Sequence, residues 1–481
     1  MKSTRASSYM YPVEIDSENT LLVSGSTLCM DLVPTPYATR FSSGNDLSFL
    51  SGQEQQHLLE RGHLTQLTPK QELAEFKKSV NLVTRKTARA ESRQKSANIS
   101  FILTYGCNLA CTYCYQSSLP TATRRNAMTA ELVDEFFTEC FPQLFPTKPK
   151  HCGFTLFGGE PLLPSNREAI SRICHHTRKF KNARINVATN ATTLPEMIDL
   201  IGPGKGQIQS VQVTLDGDQA WHDGTRITAS GRPTFASTIR GIRLLIDAGA
   251  DIGIRVHIHP KRMASTERLI RYLEEEGLLG HPQTYLYFSP INSYTDEETT
   301  PEEIQSFRRV FHQVAEKTGR PPSNLIQLKK FLAMQGKTEL PNIRYCGLGT
   351  GNFYMVDPMR DIYQCYEDTG HSASRIGSFA KGAVKMRPIL KSYRKRHLIN
   401  VPECLRCPIA LLCGGGCPVE ARQATGSLFK PYCHQNKEFI AQTLKALYLK
   451  QIRDQAKERR QGTPSARASK PARNRKEKQQ K

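Results

Sequence analysis

The chain has 481 residues, 38% apolar and 23% charged, enough for two or three hydrophobic cores and too many for a small disulfide-stapled scaffold. No apolar run approaches the roughly 18 residues of a membrane-spanning helix, and the polar opening MKSTRASSYMYPVEIDSENT lacks the apolar centre of a secretory signal, so a soluble, cytoplasmic chain is expected. The formal charge of +22 raises nucleic acid as a partner, but residues 451–481 hold eleven Lys or Arg against three acids, a net +8 in one tail; neither nucleic acid nor membrane is expected to bind.

Residues 1–95 read as a small α+β unit. YPVEI and TLLVSG are short strands, EQQHLLERGHL is a helix ended by Gly62, and Pro69 to Arg93 is a second helical run with Leu73, Phe76, Val80 and Val83 at helical spacing. From residue 96 to 320 strands alternate with amphipathic helices, the signature of βα units and a parallel sheet. The strands are ISFILTYG, GFTLFGG, RINVATN, SVQVTLDG, IGIRVHI and TYLYFSPI; the helices include TAELVDEFFTECF, REAISRICHHTRKF, FASTIRGIRLLIDAG and TERLIRYLEEEG. In FASTIRGIRLLIDAG the stripe Phe235, Ile239, Ile242 and Ile246 is expected to pack on the sheet. Six units are too few to close an eight-stranded barrel, so the α/β class narrows to a partial (β/α)6 TIM-like barrel. Residues 321–345 form a bridge, 346–436 a cysteine-rich domain, 437–460 a C-terminal helix, and 461–481 a disordered basic tail.

Ligands of parallel α/β sheets gather where the loops that follow the strands converge. TYGCNLACTYC, GGEPLL, TNATTL and DGDQAWHDGTR occupy four such positions in turn and should form one site. Fourteen cysteines in a chain of a reducing compartment point to ligands rather than disulfides. Cys107, Cys111 and Cys114 are spaced C-x3-C-x2-C; a straight helix would set the outer two about 10 Å apart, whereas a loop can wrap all three around one centre. A structural zinc site wants four ligands, and no fourth lies nearby. Three thiolates on a four-iron cubane leave one iron for a small molecule. Further on, Cys404, Cys407, Cys413, Cys417 and Cys433, with Cys346 and Cys365 upstream, make seven, more than one tetrahedral zinc site uses; two multi-iron clusters use them better. Cys29, Cys140, Cys152 and Cys174 are expected to be small buried hydrophobes.

CNLACTYC resembles the cluster loop of the radical S-adenosylmethionine enzymes, with Tyr113 as the usual aromatic before the third cysteine. The resemblance extends to Gly158, Gly159, Glu160 and Pro161, whose amides and carboxylate would hold the cofactor's amino group. It also covers Thr189 and Asn190 as ribose and carboxylate contacts, Thr214 and Asp216 in the SLDG-like segment, and Arg226 closing HDxxR. It implies S-adenosyl-L-methionine, one [4Fe-4S] cluster on Cys107, Cys111 and Cys114, and cleavage of the cofactor to methionine and a 5'-deoxyadenosyl radical by an electron from an external reductant such as flavodoxin or ferredoxin. The protein positions substrate and excludes solvent, with no general acid or base required.

The cysteine-rich segment resembles the SPASM extension of that superfamily, which implies two auxiliary [4Fe-4S] clusters. Cys346, Cys365 and Cys417 would hold the first, and Cys404, Cys407, Cys413 and Cys433 the second. The first then has three cysteines, and an open iron or a non-cysteine ligand is expected. The family often has Gly five residues before the second cysteine, where Arg360 stands here. CYEDTG followed by IGSF resembles maturases of ribosomally made peptides, and the leading unit resembles the winged-helix-like element that binds their precursor leaders by strand addition, with basic helix faces selecting acidic side chains. The expected activity is hydrogen abstraction from a precursor peptide and formation of an intramolecular side-chain cross-link, the peptide being the partner. Sulfatase maturation to formylglycine and peptide epimerisation are the alternatives. Sulfatase-maturing members usually carry Asp after the second SPASM cysteine and an eighth cysteine; this chain has Tyr366 and seven. A non-catalytic zinc protein using its basic tail on nucleic acid is the alternative from another class.

Overall fold

The period-two segments predicted from residue 99 onward pair in chain order. In the computed structural model, which describes residues 3–43, 46–93, 96–258, 262–290, 300–319, 321–322, 343–433 and 436–460, strands β4 (Ser96–Thr104), β5 (His151–Gly158), β6 (Ala183–Thr189), β7 (Ile208–Leu215), β8 (Asp251–Ile258) and β9 (Thr284–Pro290) lie side by side, all parallel. Most of the bridge expected at 321–345, and the tail 461–481, lie outside the described residues. Sequential parallel order with a crossover after each strand is the arrangement of a partial barrel. The sheet continues past β4: β10 (Phe353–Val356) pairs parallel with it, and β11 (Asp361–Tyr363), β12 (Gly377–Ala380) and β13 (Ala383–Met386) follow antiparallel. The cysteine-rich segment therefore shares a ten-stranded sheet with the barrel.

Burial follows the pleat. Along β5 and β8 buried and half-buried residues alternate, with Cys152, Phe154 and Leu156 on the buried face of β5. Helix Phe235–Asp247 buries Phe235, Ile239, Ile242 and Leu245; Ile246, expected in the stripe, is only half-buried, the buried face having turned toward Thr238, Gly241 and Leu245. The predicted single helix TAELVDEFFTECF is helical at Ala130–Glu135, widens into a π-turn at Phe136–Cys140 and resumes at Phe141–Leu144. Phe136, Phe137, Cys140 and Phe141, in and just after the widened turn, are all buried in the core beside the sheet. Among the described residues no helix is long and apolar enough to cross a membrane.

The N-terminal unit holds a three-stranded antiparallel sheet, β1 (Met10–Glu14), β2 (Asn19–Ser24) and β3 (Met30–Pro34), with helices Thr35–Ser43, Gly52–Glu60 and Pro69–Arg93. Strand β3 and the helix after it were absent from the sequence reading. Ser51 and Glu54 form a capping box at the start of Gly52–Glu60. Val13, Leu21 and Val23 pack with Ile409, Leu412, Ile440 and Leu444, while Tyr9, Phe76 and Val80 pack with Leu398, Val401, Leu405 and Leu411. Tyr9 Oη donates to the Leu405 carbonyl at 2.7 Å. The unit is thus seated on the cysteine-rich segment and the terminal helix Asn436–Arg460, and strand β3 keeps one edge without a strand partner among the described residues.

Candidate functional site

The four loops singled out by position do converge. The cysteine loop leaves β4 and runs against residues 225–228: Ala110 N–H donates to the Ile227 carbonyl at 2.7 Å and Thr112 N–H to that of Thr225 at 3.0 Å. Gly159 N–H and Glu160 N–H donate to the carbonyls of Thr104 (2.8 Å) and Gly106 (2.9 Å), which presses the GGEP segment onto the same loop. Glycine is required there. A Cβ on Gly159 would sit 2.1 Å from the Gly106 carbonyl oxygen, and Gly158 has φ +140° with the Thr104 carbonyl 2.2 Å from its Cβ position.

Glu160, 1% exposed, is a latch between loops. Its Oε1 accepts from Leu162 N–H (2.8 Å) and Thr189 Oγ1 (2.7 Å), and its Oε2 from Asn190 N–H (2.8 Å). Burial raises its pKa against these hydrogen bonds. Asn190 Nδ2 donates to Asn108 Oδ1 at 2.8 Å, and Asn108 Nδ2 to Thr192 Oγ1 at 2.8 Å, so the loop after β6 is tied to the cysteine loop through side chains. Pro161 and Thr214 are buried or nearly so at the ends of β5 and β7. Glu160, Thr189 and Asn190 are thereby committed to one another and to the loops, while Cys107 is exposed.

Asp216 is fully enclosed and stands 3.1 Å from His257 Nδ1 and 4.0 Å from Arg226 Nη1. Burial works to raise its pKa, but the His257 hydrogen bond and the charge of Arg226 outweigh it and hold the carboxyl well below the usual range. Arg226 Nη1 donates to Tyr113 Oη at 2.6 Å, coupling this group to the cysteine loop. His257, Asn108 and Thr192 were missed by sequence reading; position at a strand end was the available signal for His257.

Cys107 is exposed, and Cys111 and Cys114 are half-buried. Desolvation among the converging loops and the negative charge of Glu160 push the Cys107 thiol up to about 12. The seven later cysteines fall into two sets by the charges they exert on one another. Cys365 responds to Cys417 and Cys346, whereas Cys404 responds to Cys413, Cys433 and Cys407. Arg396, 4% exposed, lies between the sets: Cys404 and Cys413 bear on it from one, Cys346 and Cys417 from the other. Gly414, Gly415 and Gly416 all have positive φ, and the Gly415 and Gly416 amides point at the Cys413 sulfur. Among the described residues no three His, Cys, Asp or Glu side chains close on one point tightly enough for a single ion. By donor chemistry, sets of three and four thiol sulfurs suit iron-sulfur clusters. Cys140, Cys152 and Cys174 are buried, as small hydrophobes should be; Cys29 is half-buried.

Arg360, where the SPASM resemblance has glycine, adopts φ +64° and completes a turn in which its N–H donates to the Asp357 carbonyl at 3.1 Å; its guanidinium pairs with Glu135 at 2.6 Å. A left-handed residue without a glycine is strained, and the exposed ion pair offsets little of that. Arg360→Gly is therefore expected to leave stability within about 1 kcal/mol of the parent, and Arg360→Val, β-branched, to lose about 1–3 kcal/mol by denaturant unfolding. Asp357 itself receives Tyr105 Oη at 2.9 Å and the amides of Met359 (2.9 Å) and Asp361 (2.8 Å), anchoring the cysteine loop to the C-terminal segment. Burial pushes its carboxyl up to about 7. The folded chain then binds more protons than the unfolded one between roughly pH 4 and 7, so this group's contribution falls as pH rises through that window. Asp357→Asn, which keeps the shape and one acceptor for the two amides and presents a donor to Tyr105 Oη, should gain stability relative to the parent at pH 8 compared with pH 5, by at most about a few kcal/mol; paired unfolding curves at the two pH values read the difference.

Residues 101–273 match the radical SAM superfamily, and the chain carries a radical SAM domain. It is 22% identical over 337 residues to a serine-type anaerobic sulfatase-maturating enzyme of Klebsiella aerogenes, covering 66% of this chain and 78% of that one. A cysteine-type anaerobic sulfatase-maturating enzyme of Clostridium perfringens is 23% identical over 358 residues, 70% of this chain and 92% of that one. The antilisterial bacteriocin subtilosin biosynthesis protein AlbA of Bacillus subtilis is 30% identical over 181 residues, 37% of each. The solved structure of native anSMEcpe with bound AdoMet shares the fold at TM-score 0.57 and 19% identity, covering 74% of this chain and 99% of that one.

Proposed function

We propose that the chain is a peptide maturase of the radical S-adenosylmethionine class, with a SPASM extension, that forms an intramolecular side-chain cross-link in a ribosomally made precursor. The observation that carries this reading is the meeting of the three-cysteine loop with the GGEP, TN and LDG loops at one end of six parallel strands. Cys107, Cys111 and Cys114 would hold one [4Fe-4S] cluster, Cys346, Cys365 and Cys417 a second, and Cys404, Cys407, Cys413 and Cys433 a third. When bound, S-adenosylmethionine and a reduced cluster supply one-electron chemistry that removes a hydrogen atom from the substrate. Gly158, Gly159, Glu160, Pro161, Thr189 and Asn190, with Thr214, Asp216 and Arg226, would hold the cofactor. A flavodoxin or ferredoxin is the proposed electron source.

Sulfatase maturation is the second reading, since sulfatase-maturating relatives align over two thirds of the chain. Against it, the place after Cys365 carries no carboxylate: Tyr366 is hydrogen-bonded to Ser100 at 2.8 Å, its ring 4.3 Å from that of Phe157. The N-terminal unit would bind the leader peptide along the free edge of β3. A cavity of about 360 Å³ between β3 and helix Gly52–Glu60 is lined by Leu32, Val33, Tyr37, Leu50 and Leu58, with Asp31, Glu54 and His57 as its charged or titratable members. Helix Pro69–Arg93 packs Leu73, Phe76 and Val80 against the cysteine-rich segment and leaves Lys77, Arg85 and Lys86 exposed, so its basic face would be the one to meet acidic side chains, while the groove beside β3 carries Asp31 and Glu54.

The reduced, iron-loaded protein, incubated with S-adenosylmethionine and the small peptide encoded beside its gene, should yield a product about two mass units lighter per cross-link and inert to hydrazide reagents. A hydrazide-reactive product of that mass would mean formylglycine; unchanged mass with deuterium taken up from heavy water would mean epimerisation; no product at all would count against a peptide substrate.

A further inference from the structure

Strand β8 carries a charge that no acid answers. Ile252, Ile254, Val256 and Ile258 are buried in the main core, so Gly253, Arg255 and His257 share the opposite face, toward the lumen of the partial barrel. On that face His257 meets Tyr113 and Asp216, where the loops converge. Arg255 stands one pleat repeat, about 7 Å, further in. The ladders set it beside Thr214 of β7 and Tyr287 of β9. It is half-buried, its Nε is shut from water without a hydrogen-bond partner, and among the described residues it makes no ion pair. The acids near the lumen are taken: Glu160 accepts from Leu162, Thr189 and Asn190, and Asp216 faces His257 and Arg226. Beside Arg255, Tyr287 Oη donates to Gln212 Oε1, which leaves the Gln212 amide nitrogen as a second donor without a partner among the described residues.

We propose that Arg255, with the Gln212 amide, binds a carboxylate of the core peptide inside the barrel. The substrate class is then a precursor that presents an Asp or Glu side chain, or its own C-terminus, to the radical centre. The assignment rests on the peptide-maturase reading above and deepens it by naming the group that the lumen selects. A cation withdrawn from water is costly unless it is paired, and the planar fork of arginine takes a carboxylate with two parallel hydrogen bonds. Arg255 is level with Thr214, one of the residues assigned to the cofactor, so a carboxylate on it lies against the cofactor's site. The cofactor's own carboxylate does not need this residue, because Arg226, tied to Tyr113 of the cysteine loop, is the cation of that wall.

The test uses the reduced, iron-loaded full chain and the small peptide encoded beside its gene. The peptide is prepared unaltered, with each core Asp or Glu changed in turn to Asn or Gln, and with its C-terminus amidated. One of these changes should lower kcat/KM in the parent by at least about 10-fold, chiefly through KM. Arg255→Gln should lower it for the unaltered peptide by a similar factor, and Arg255→Lys by less, since the charge stays while the fork is lost. Arg255→Gln acting on the sensitive peptide should lose no more than either change alone. Sensitivity to Asn or Gln assigns the carboxylate to a side chain; sensitivity to amidation assigns it to the C-terminus. Arg255→Gln should melt at or above the parent, because an unanswered charge has been removed. The assignment is overturned if no core carboxylate matters to the parent, if the two losses simply add, or if Arg255→Gln melts several degrees lower. Equilibrium dialysis without peptide that shows lost affinity of Arg255→Gln for S-adenosylmethionine overturns it as well, since the residue then serves the cofactor. A parent that cleaves S-adenosylmethionine yet alters no version of the peptide overturns the peptide reading together with this one. A parent that modifies the peptide, with Arg255→Gln its equal, overturns the carboxylate site alone.

Discussion

With Cys107, Cys111 and Cys114 all replaced by Ala, S-adenosylmethionine cleavage is expected to fall to background, while about two thirds of the iron remains bound. The loss should be complete because the reaction proposed here needs an iron that only this loop can hold. The fold should survive, because the contacts of the loop that use a thiol, among them Leu109 N–H and Asn190 Nδ2 to Cys107 Sγ at 3.3 and 3.9 Å, are weak beside those that place it. Tyr105 is locked to Asp357, Ala110 and Thr112 pair with Ile227 and Thr225, and Glu160 ties the GGEP segment to the Thr189 and Asn190 loop. Methionine release under dithionite, iron content and a thermal melt read the three parts separately. Cleavage that persists in the triple variant would remove the loop from the active centre. A melt shifted by many degrees would instead mean that the thiols matter to the apo fold.

Local pattern carried the six barrel strands and the helix Pro69–Arg93, because strand alternation and helical spacing are written within a few residues. What escaped was set by partners far away in the chain. Strand β3, in the segment MDLVP, is too short and mixed to declare itself; it is a strand because Leu21 and Leu22 of β2 offer a ladder. The pairing of β10 with β4 joins residues more than 250 positions apart and cannot be seen in either segment alone. The π-turn at Phe136–Cys140 leaves no mark in the apolar spacing, which reads as one continuous helix. In the site, cysteines, GGEP, Asn190 and Asp216 were visible through motif order. Asn108, Thr192 and His257 were not, since an uncharged or ordinary side chain acquires its role only when the loops meet.

Leu32→Asp separates the leader-binding role of the N-terminal unit from the chemistry of the barrel. Leu32 lies on β3 and is 43% exposed, an apolar side chain at the mouth of the groove that is otherwise lined by Tyr37, Leu50 and Leu58. A carboxylate there, beside Asp31 and Glu54, costs little folding free energy because the site is half in water. It places charge where an added strand would lay its own apolar side chain. Peptide affinity is expected to fall roughly 10- to 100-fold in fluorescence anisotropy with labelled precursor, at the cost of one buried anchor. Cleavage of S-adenosylmethionine without peptide should be unchanged, because this sheet packs on Ile409, Leu412 and the terminal helix rather than on the loops around Cys107. Product formation should recover when peptide is raised in proportion to the lost affinity, the behaviour of a binding defect. If affinity is unaltered while the groove is charged, the precursor does not use this edge, and the N-terminal unit serves as a support for the cysteine-rich segment on which Tyr9, Phe76 and Val80 already rest.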